Sequence, residues 1–243
     1  MATLLLLNPQ WSYAHATQID FITIYHNEDL DPHVADVVRE ASSIMMTSNL
    51  YHEDIHINLC MNDHKWYPQL NYSARYSMAY AASDNTILNN CEVDFRNNKA
   101  RIHWSSREPR DFDLTWLLAH EFTHNLQYDY DTWYIFKSTL DGINWKLEGH
   151  AEYIGRKFKG DKNLIQKVTK YLDEEAKVHE GIPAFKINDG TYQNLSYFKY
   201  AIIVHYLFEQ QGLDYEELCR LDISVDQAFQ QMIDWHKHEI SLE

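Results

Sequence analysis

Hydrophobic positions recur along this chain with two different periods, and the change between them divides the sequence. Upstream of Pro109 the apolar segments are short and rich in β-branched and aromatic residues, as in strands. Alternation at residues 19–25 and 55–60 predicts two strands. Between them, Asp31-Pro32 precedes an apolar helical face that consists of Val34, Val37, Val38, Ala41 and Met45. The first third is therefore predicted to form strand, helix and strand.

Residues 67–104 combine polar clusters with short apolar pieces. Asn, Asp and Ser separate the apolar segments 76–81, 86–88 and 100–104. Such a pattern predicts a sheet whose strands are joined by irregular connections.

Downstream of Pro109 the hydrophobic period becomes helical. Asp111 or Asp113 can cap a helix whose first apolar residues are Leu114, Leu117 and Leu118. We therefore expect an α+β fold, in which a mixed sheet with helices is followed by a helical half and a cleft separates the two.

The helical half contains four further predicted helices. Three of them cover residues 145–157, 162–180 and 195–211, and the last begins at Ser224. Gly212 is suited to end the helix before it, because glycine adopts a left-handed conformation readily. Ser224 and Gln227 have the spacing of a capping box.

The first 16 residues differ from the rest. The apolar run at residues 4–7 is much shorter than the roughly 20 residues of a membrane-spanning helix, and no Lys or Arg precedes it. With Pro9 close by, it is also too short for a working signal peptide. We expect residues 1–16 to be a leader or a truncated hydrophobic segment. Residues 17–243 are expected to form a single domain, with lobes at residues 17–130 and 131–243.

Charge and composition narrow the function classes. The chain has 36 acidic and 21 basic residues, and its formal net charge of −15 opposes binding to nucleic acid or to an anionic membrane surface. The chain contains only 7 Gly and 5 Pro, and this low content excludes a collagen-like or low-complexity chain. The three cysteines, Cys60, Cys91 and Cys219, are too few for a disulfide framework or a thiolate zinc site, although one disulfide stays open.

The most informative segment is LLAHEFTHNLQ, at residues 117–127. Residues four apart lie on one face of a helix, so His120 and His124 can reach the same metal ion. Glu121 points in a neighbouring direction, where it can contact a water on the metal rather than the metal itself. A catalytic zinc site needs three protein ligands and an open position, and this helix supplies two. The motif could arise by chance on an exposed helix, but the Leu-Leu-Ala segment before it is typical of a buried one.

A third ligand is expected from a later helix. A histidine six residues after His124 is excluded, because Tyr130 occupies that position. In the predicted helix WKLEGHAEYIGR, Glu148 and Glu152 share a face beside an apolar stripe. We expect Glu148 to be the third ligand, and Glu152 to accept a hydrogen bond from the far ring nitrogen of a ligating histidine.

Two alternatives to this assignment stay open. His150 lies about 200° around the helix from Glu148, so the two cannot face the same ion. We prefer Glu148 as the ligand because Glu152 shares its face. The two glutamates could instead form a solvated pair at the surface.

Together these segments resemble the gluzincin metallopeptidases. H-E-F-T-H is followed by W-K-L-E-G-H-A-E-Y-I, and the similarity covers residues 114–212. It extends to the catalytic core of gluzincin aminopeptidases and to small bacterial gluzincins. The resemblance implies a zincin-like fold and one Zn²⁺ per chain, bound by His120, His124 and Glu148, with Glu121 as general base.

The resemblance also suggests an oxyanion-stabilising tyrosine. Aminopeptidase-type gluzincins carry it in Tyr-x-Lys-Gly-Ala, and Tyr197 in SYFKYA occupies that place. Tyr200, which stands where glycine is usual, is the reserve candidate. The Gly-Ala-Met-Glu-Asn segment of the aminopeptidases has no counterpart upstream of His120. Because small bacterial gluzincins often begin with a membrane segment, the resemblance also implies a lost N-terminal anchor and a location outside the cytoplasm.

Two functions of different classes are consistent with the sequence. In the first, the chain is a zinc-dependent peptidase, and Glu121 takes a proton from a metal-activated water that attacks the peptide bond. In the second, it is an inactive or structural zinc-binding domain that serves as a binding or scaffold module. Glu121 favours the peptidase, since a structural site has no use for a general base. The expected partner is a peptide or protein substrate, and His103 and His205 are expected to be packing or surface residues.

Overall fold

The structure is a computed structural model that describes residues 8–61, 77–102, 109–140, 144–156, 163–177, 184–187 and 189–242. The chain divides into two compact units, Met1–Ile135 and Phe136–Glu243. Its mixed sheet and its helical second half confirm the predicted α+β class. Among the described helices, none is long and apolar enough to cross a membrane. The predictions for residues 1–7, for residues 62–76 and for His103 lie outside the described residues.

The first unit contains a five-stranded mixed sheet with the strand order β1-β2-β3-β5-β4. The strands are β1 (His15–Ile19), β2 (Ile22–His26), β3 (Ile57–Cys60), β4 (Ala79–Ala82) and β5 (Asn85–Leu88). β3 is parallel to both β2 and β5, whereas β1 and β4 pair antiparallel at the two edges. Every residue of β3 and β5 is buried, which fits their central positions.

Residues 19–25, which the alternation predicts as one strand, instead span a hairpin. Ile19 ends β1 and pairs with Ile22, the first residue of β2. Asp20 lies in the turn with a φ of +54°, a left-handed conformation that Asp tolerates better than most residues. The apolar pattern changes phase at the turn, because Phe21 and Ile22 are adjacent, and Ile19, Ile22 and Ile24 are the buried residues.

The predicted helix between the strands is α1 (Val34–Met45). Its buried face contains all five predicted apolar residues. It begins later than expected, because His33 rather than Asp31 is at the N-cap position. Asp31 instead accepts a hydrogen bond from the backbone N–H of His33, at 2.8 Å, in the turn before the helix.

A second sheet precedes the helix that carries the histidine motif. β6 (Glu92–Asp94), β7 (Lys99–Ile102) and β8 (Arg110–Asp113) form an antiparallel meander. β8 leads directly into α2 (Leu114–Leu140). α2 is interrupted at Asp131, whose φ and ψ of −152° and 81° are not helical. The Asp131 carboxylate accepts from the N–H of Tyr134 at 2.8 Å, so Asp131 caps the part of the helix that follows.

The second unit is mainly helical. Its elements are α3 (Trp145–Arg156), α4 (Leu164–Glu175), β9 (Ala184–Lys186), β10 (Tyr192–Asn194), α5 (Leu195–Glu209), α6 (Tyr215–Arg220) and α7 (Val225–Ile240). α3 packs along α5, and α4 and α7 also contact α5. The four predicted helices are confirmed as α3, α4, α5 and α7, whereas the β9–β10 hairpin and α6 were not predicted.

The predicted helix ends in this unit follow the expected chemistry. Ser224 and Gln227 form a capping box at the start of α7. Gly212 follows α5 with a φ of +70°, a conformation that favours glycine. α4 is shorter than predicted, because Asn163 caps its first turn and Ala176 ends it.

Candidate metal centre

The helix α2 begins where side chains satisfy its first N–H groups. Asp113 Oδ1 accepts from the N–H of Trp116 at 2.7 Å, which selects Asp113 rather than Asp111 as the cap. Asn98 Oδ1 accepts from the N–H of Thr115 at 2.8 Å. These contacts fix the start of the helix two turns before the histidine motif.

His120 and His124 lie on one face of α2, as the helical period predicts. Their Nε2 atoms are 3.1 Å apart, and their ring centroids are 4.7 Å apart with an angle of 84° between the planes. His120 is buried and His124 is half-buried. The ring of Trp116 contacts His120, with 6.0 Å between the ring centroids.

This arrangement fits a metal ion. Two nitrogens that are each 2.0–2.1 Å from a tetrahedral zinc are separated by about 3.3 Å, which is close to the observed spacing. Neutral imidazoles are ligands that zinc accepts. The chemistry and the spacing of the pair are therefore those of two zinc ligands on one helix.

Glu121, the predicted general base, follows His120 in the sequence. Its side chain is buried, with 8% of its surface exposed. Burial raises the pKa of the Cys91 thiol to about 12, and the negative charge of the Glu121 carboxylate contributes a smaller part of this rise. Cys91 is consequently a neutral thiol near pH 7 in the metal-free chain. No disulfide joins Cys60, Cys91 and Cys219, all of which are described.

Gln127 contacts the far nitrogen of His124, a contact that was not predicted. Its Oε1 lies 2.7 Å from Nδ1 of His124, and its side chain is fully buried. Gln127 is three residues after His124, a spacing at which helix side chains meet. That spacing is the sequence signal that could have identified the contact.

Asn125 attaches the motif helix to the hairpin of β4 and β5. Its Nδ2 donates to the carbonyl oxygen of Ser83 at 2.7 Å, and its Oδ1 accepts from the hydroxyl of Thr86 at 2.6 Å. Both side chains, Asn125 and Thr86, are buried. Hydrogen bonds shielded from water in this way hold the helix at a fixed position on the sheet.

In the second unit, Glu148 lies in the first turn of α3 and is half-buried. Asn144 starts this helix, because its Oδ1 accepts from the N–H of Lys146 at 2.9 Å. Glu148 interacts with Tyr200 on α5: burial, followed by the charge of Glu148, raises the pKa of the Tyr200 phenol. Tyr200 therefore remains protonated at neutral pH and can donate a hydrogen bond.

Tyr197, the predicted oxyanion donor, lies in the first turn of α5. Asn194 caps this turn and accepts from the N–H of Ser196 at 2.9 Å. The Tyr197 and Tyr200 rings are one helical turn apart, with centroids 6.3 Å from each other. α5 thus presents both phenols on one side, as their spacing predicts.

His150, the rival ligand, is surrounded by aromatic rings inside the second unit. It is fully buried, with ring centroids 4.6 Å from Tyr215 and 5.9 Å from Phe208. The preference for Glu148 over His150 as the ligand from α3 stays a prediction.

Glu152 and His205 have partners within the second unit. Arg156 donates to Glu152, and Gln193 Nε2 donates to Glu152 Oε1 at 3.2 Å. The hydrogen bond from a ligating histidine to Glu152 stays a prediction. His205 is buried on α5, 3.0 Å from a carboxylate oxygen of Glu209, in agreement with the predicted packing role.

Comparison with known proteins assigns the family. A family model described as collagenase, peptidase family M9, matches residues 88–238, which is more than half of the chain. Comparisons with curated proteins and with solved structures found no match. The matched segment contains the histidine motif, α3 and the two tyrosines of α5, and it confirms the resemblance to the gluzincins. The chain belongs to the M9 collagenase family and is a zinc metallopeptidase, a hydrolase that acts on peptide bonds.

Proposed function

We propose that this chain hydrolyses peptide bonds at one zinc ion bound by His120, His124 and Glu148, with Glu121 as the general base. The observation that carries the proposal is the pair of imidazole Nε2 atoms 3.1 Å apart on a helix that also bears Glu121. Membership of a metallopeptidase family supports it.

Glu148 completes the proposed ligand set. The sequence pattern supports Glu148 as the third ligand, because HEFTH is followed by WKLEGHAEYI within the segment that matches the metallopeptidase family. Two imidazoles and one carboxylate are the protein ligands of catalytic zinc sites that keep a fourth position open. When bound, zinc supplies a Lewis acid that lowers the pKa of water and polarises the carbonyl of the scissile bond.

Glu121 handles the proton in the proposed reaction. Its carboxylate accepts a proton from the attacking water and passes it to the leaving amine. Its burial favours this role, because the interaction of a carboxylate with a proton donor is stronger where water is largely excluded. Tyr197 is the proposed donor to the developing oxyanion, and Tyr200 is the reserve candidate.

Glu121→Gln tests the proposal. The amide keeps the size of the side chain but cannot accept the proton, so we expect zinc binding at one ion per chain and loss of hydrolysis of a quenched-peptide library. Wild-type protein and His124→Ala, which should lose zinc and activity together, are the controls. Zinc content is measured by elemental analysis and cleavage by fluorescence.

Two outcomes would contradict the proposal. Unchanged cleavage by Glu121→Gln would exclude Glu121 as the base. Zinc-loaded wild type that cleaves no peptide would instead favour the alternative function, a zinc-binding domain without activity, in which chelation unfolds the chain.

A further inference from the structure

Gln127 occupies a position from which it can select the tautomer of His124, the proposed metal ligand. It lies on α2 at the turn after His124, and its Oε1 is 2.7 Å from the ring Nδ1. None of its surface is exposed, so water does not replace this contact. His124 is only half-buried, and it therefore depends on the contact for a fixed ring orientation.

We propose that Gln127 is a positioning residue for zinc, acting through His124. This inference rests on the proposed function, since it assumes that His124 is a metal ligand. Gln127 Oε1 accepts the Nδ1–H hydrogen of His124, which keeps the hydrogen on Nδ1 and leaves the lone pair of Nε2 for the ion.

The chemistry of the two groups leads to this role. A neutral imidazole carries one N–H, and the nitrogen without hydrogen is the one that binds metal. An amide oxygen can only accept a hydrogen bond, so its contact with Nδ1 selects the tautomer in which Nε2 is available. His124 Nε2 is the atom that faces His120, 3.1 Å from its Nε2. The tautomer that Gln127 selects is therefore the one that the site needs.

The contact also restrains the direction of the ring. Metal-ligating histidines generally donate their other N–H to an oxygen, and loss of that oxygen weakens metal binding about 10- to 100-fold. In this chain the oxygen comes from the same helix as the ligand. The orientation of the His124 ring can therefore be set by α2 alone, without a contribution from the other proposed zinc ligands.

The test compares zinc affinity and metal-free stability for three variants of the full chain. Gln127→Met removes the acceptor at nearly constant size, whereas Gln127→Glu keeps an oxygen at the same place. Thr123→Val is the matched control, because it removes a buried hydroxyl from the same helix. That hydroxyl donates to the carbonyl oxygen of Ala119 at 2.8 Å and does not contact a histidine ring. Zinc dissociation constants are measured by competition with a chromophoric chelator, and Tm is measured after metal removal.

We expect Gln127→Met to bind zinc about 10- to 100-fold more weakly than wild type. Gln127→Glu and Thr123→Val should bind zinc with the affinity of wild type. The Tm of the metal-free proteins should not rank the variants in the order of their zinc affinities. If Gln127→Met does not fold, Gln127→Asn replaces it, because its shorter side chain withdraws the oxygen from the ring.

Other results would overturn the inference. Equal zinc affinity of wild type and Gln127→Met, or an equal loss in Gln127→Met and Gln127→Glu, would show that the oxygen at residue 127 does not act on the ligand. Wild type that binds no zinc would be a different failure, because it contradicts the proposed function itself.

Discussion

A Cβ atom on Gly149 would lie 2.7 Å from the carbonyl oxygen of Tyr200 and 2.8 Å from Cγ2 of Val204. The absence of a side chain at this position lets α3 approach the backbone of α5. Because Gly149 directly follows Glu148, the position of the proposed third ligand depends on this close approach.

Gly149→Ala should therefore weaken both folding and zinc binding. Real Cβ atoms do not approach a carbonyl oxygen this closely, so α3 must shift, and overpacking of this kind costs about 1–3 kcal/mol. Urea denaturation measures the free energy of unfolding, and chelator competition measures the zinc affinity. Gly212→Ala is the control, since Gly212 has a φ of +70° with nothing within 4 Å of its added Cβ. It should lower stability through backbone strain and leave zinc affinity unchanged.

The two tyrosines of α5 can be separated by their effects on turnover. If Tyr197 donates to the oxyanion, Tyr197→Phe should lower kcat about 100-fold or more while zinc content stays at the wild-type level. Tyr200→Phe should have the smaller effect on kcat. Both are measured with a quenched peptide on zinc-loaded protein. A larger loss in Tyr200→Phe would assign the role to the reserve candidate.

Asn125 should be needed for the stability of the first unit. Asn125→Ala leaves the Thr86 hydroxyl and the Ser83 carbonyl without the amide that now binds both. Loss of one partner from a buried polar pair costs about 1–3 kcal/mol. Asn97→Ala, which removes an exposed hydrogen bond to Asp94, is the control and should cost less. Equal free energies of unfolding for the two variants would contradict a role for Asn125 in holding α2 on the sheet.

The motif residues could be predicted from the sequence because a single physical rule governs them. The helical period alone brings His120 and His124 to one face, and the same rule places Tyr197 and Tyr200 together. The spacing of three residues allows the contact of Gln127 with His124 but does not by itself predict it. The contact depends on side-chain rotamers and on the burial of one amide, and neither has a periodic signature.

The fold was predicted best where elements are long. α5 and α7 have several turns of apolar pattern and clear caps, so their existence and type followed from the sequence. β9, β10 and α6 have three to six residues each, too few to show a period. The interruption of α2 at Asp131 was not predicted either, because it is defined by the backbone conformation of a single residue.

The second sheet should make the chain sensitive to acid through Asp111. Hydrogen bonds from Arg101, at 2.6 and 3.0 Å, and from Lys99, at 3.1 Å, lower the pKa of Asp111 to about 2. A carboxyl whose pKa is lower in the folded state stabilises the fold above its ordinary pKa, here 3.8, and loses that contribution as the pH falls toward about 2. Asp111→Asn should therefore be less stable than wild type at pH 7, and the difference in the free energy of unfolding should shrink between pH 4 and pH 2.

Glu40→Gln, which removes an exposed carboxylate of α1, is the control for the loss of one negative charge. A difference between Asp111→Asn and wild type that stays constant across this range, measured by urea denaturation at each pH, would show that the ion pairs of Asp111 do not contribute to folding.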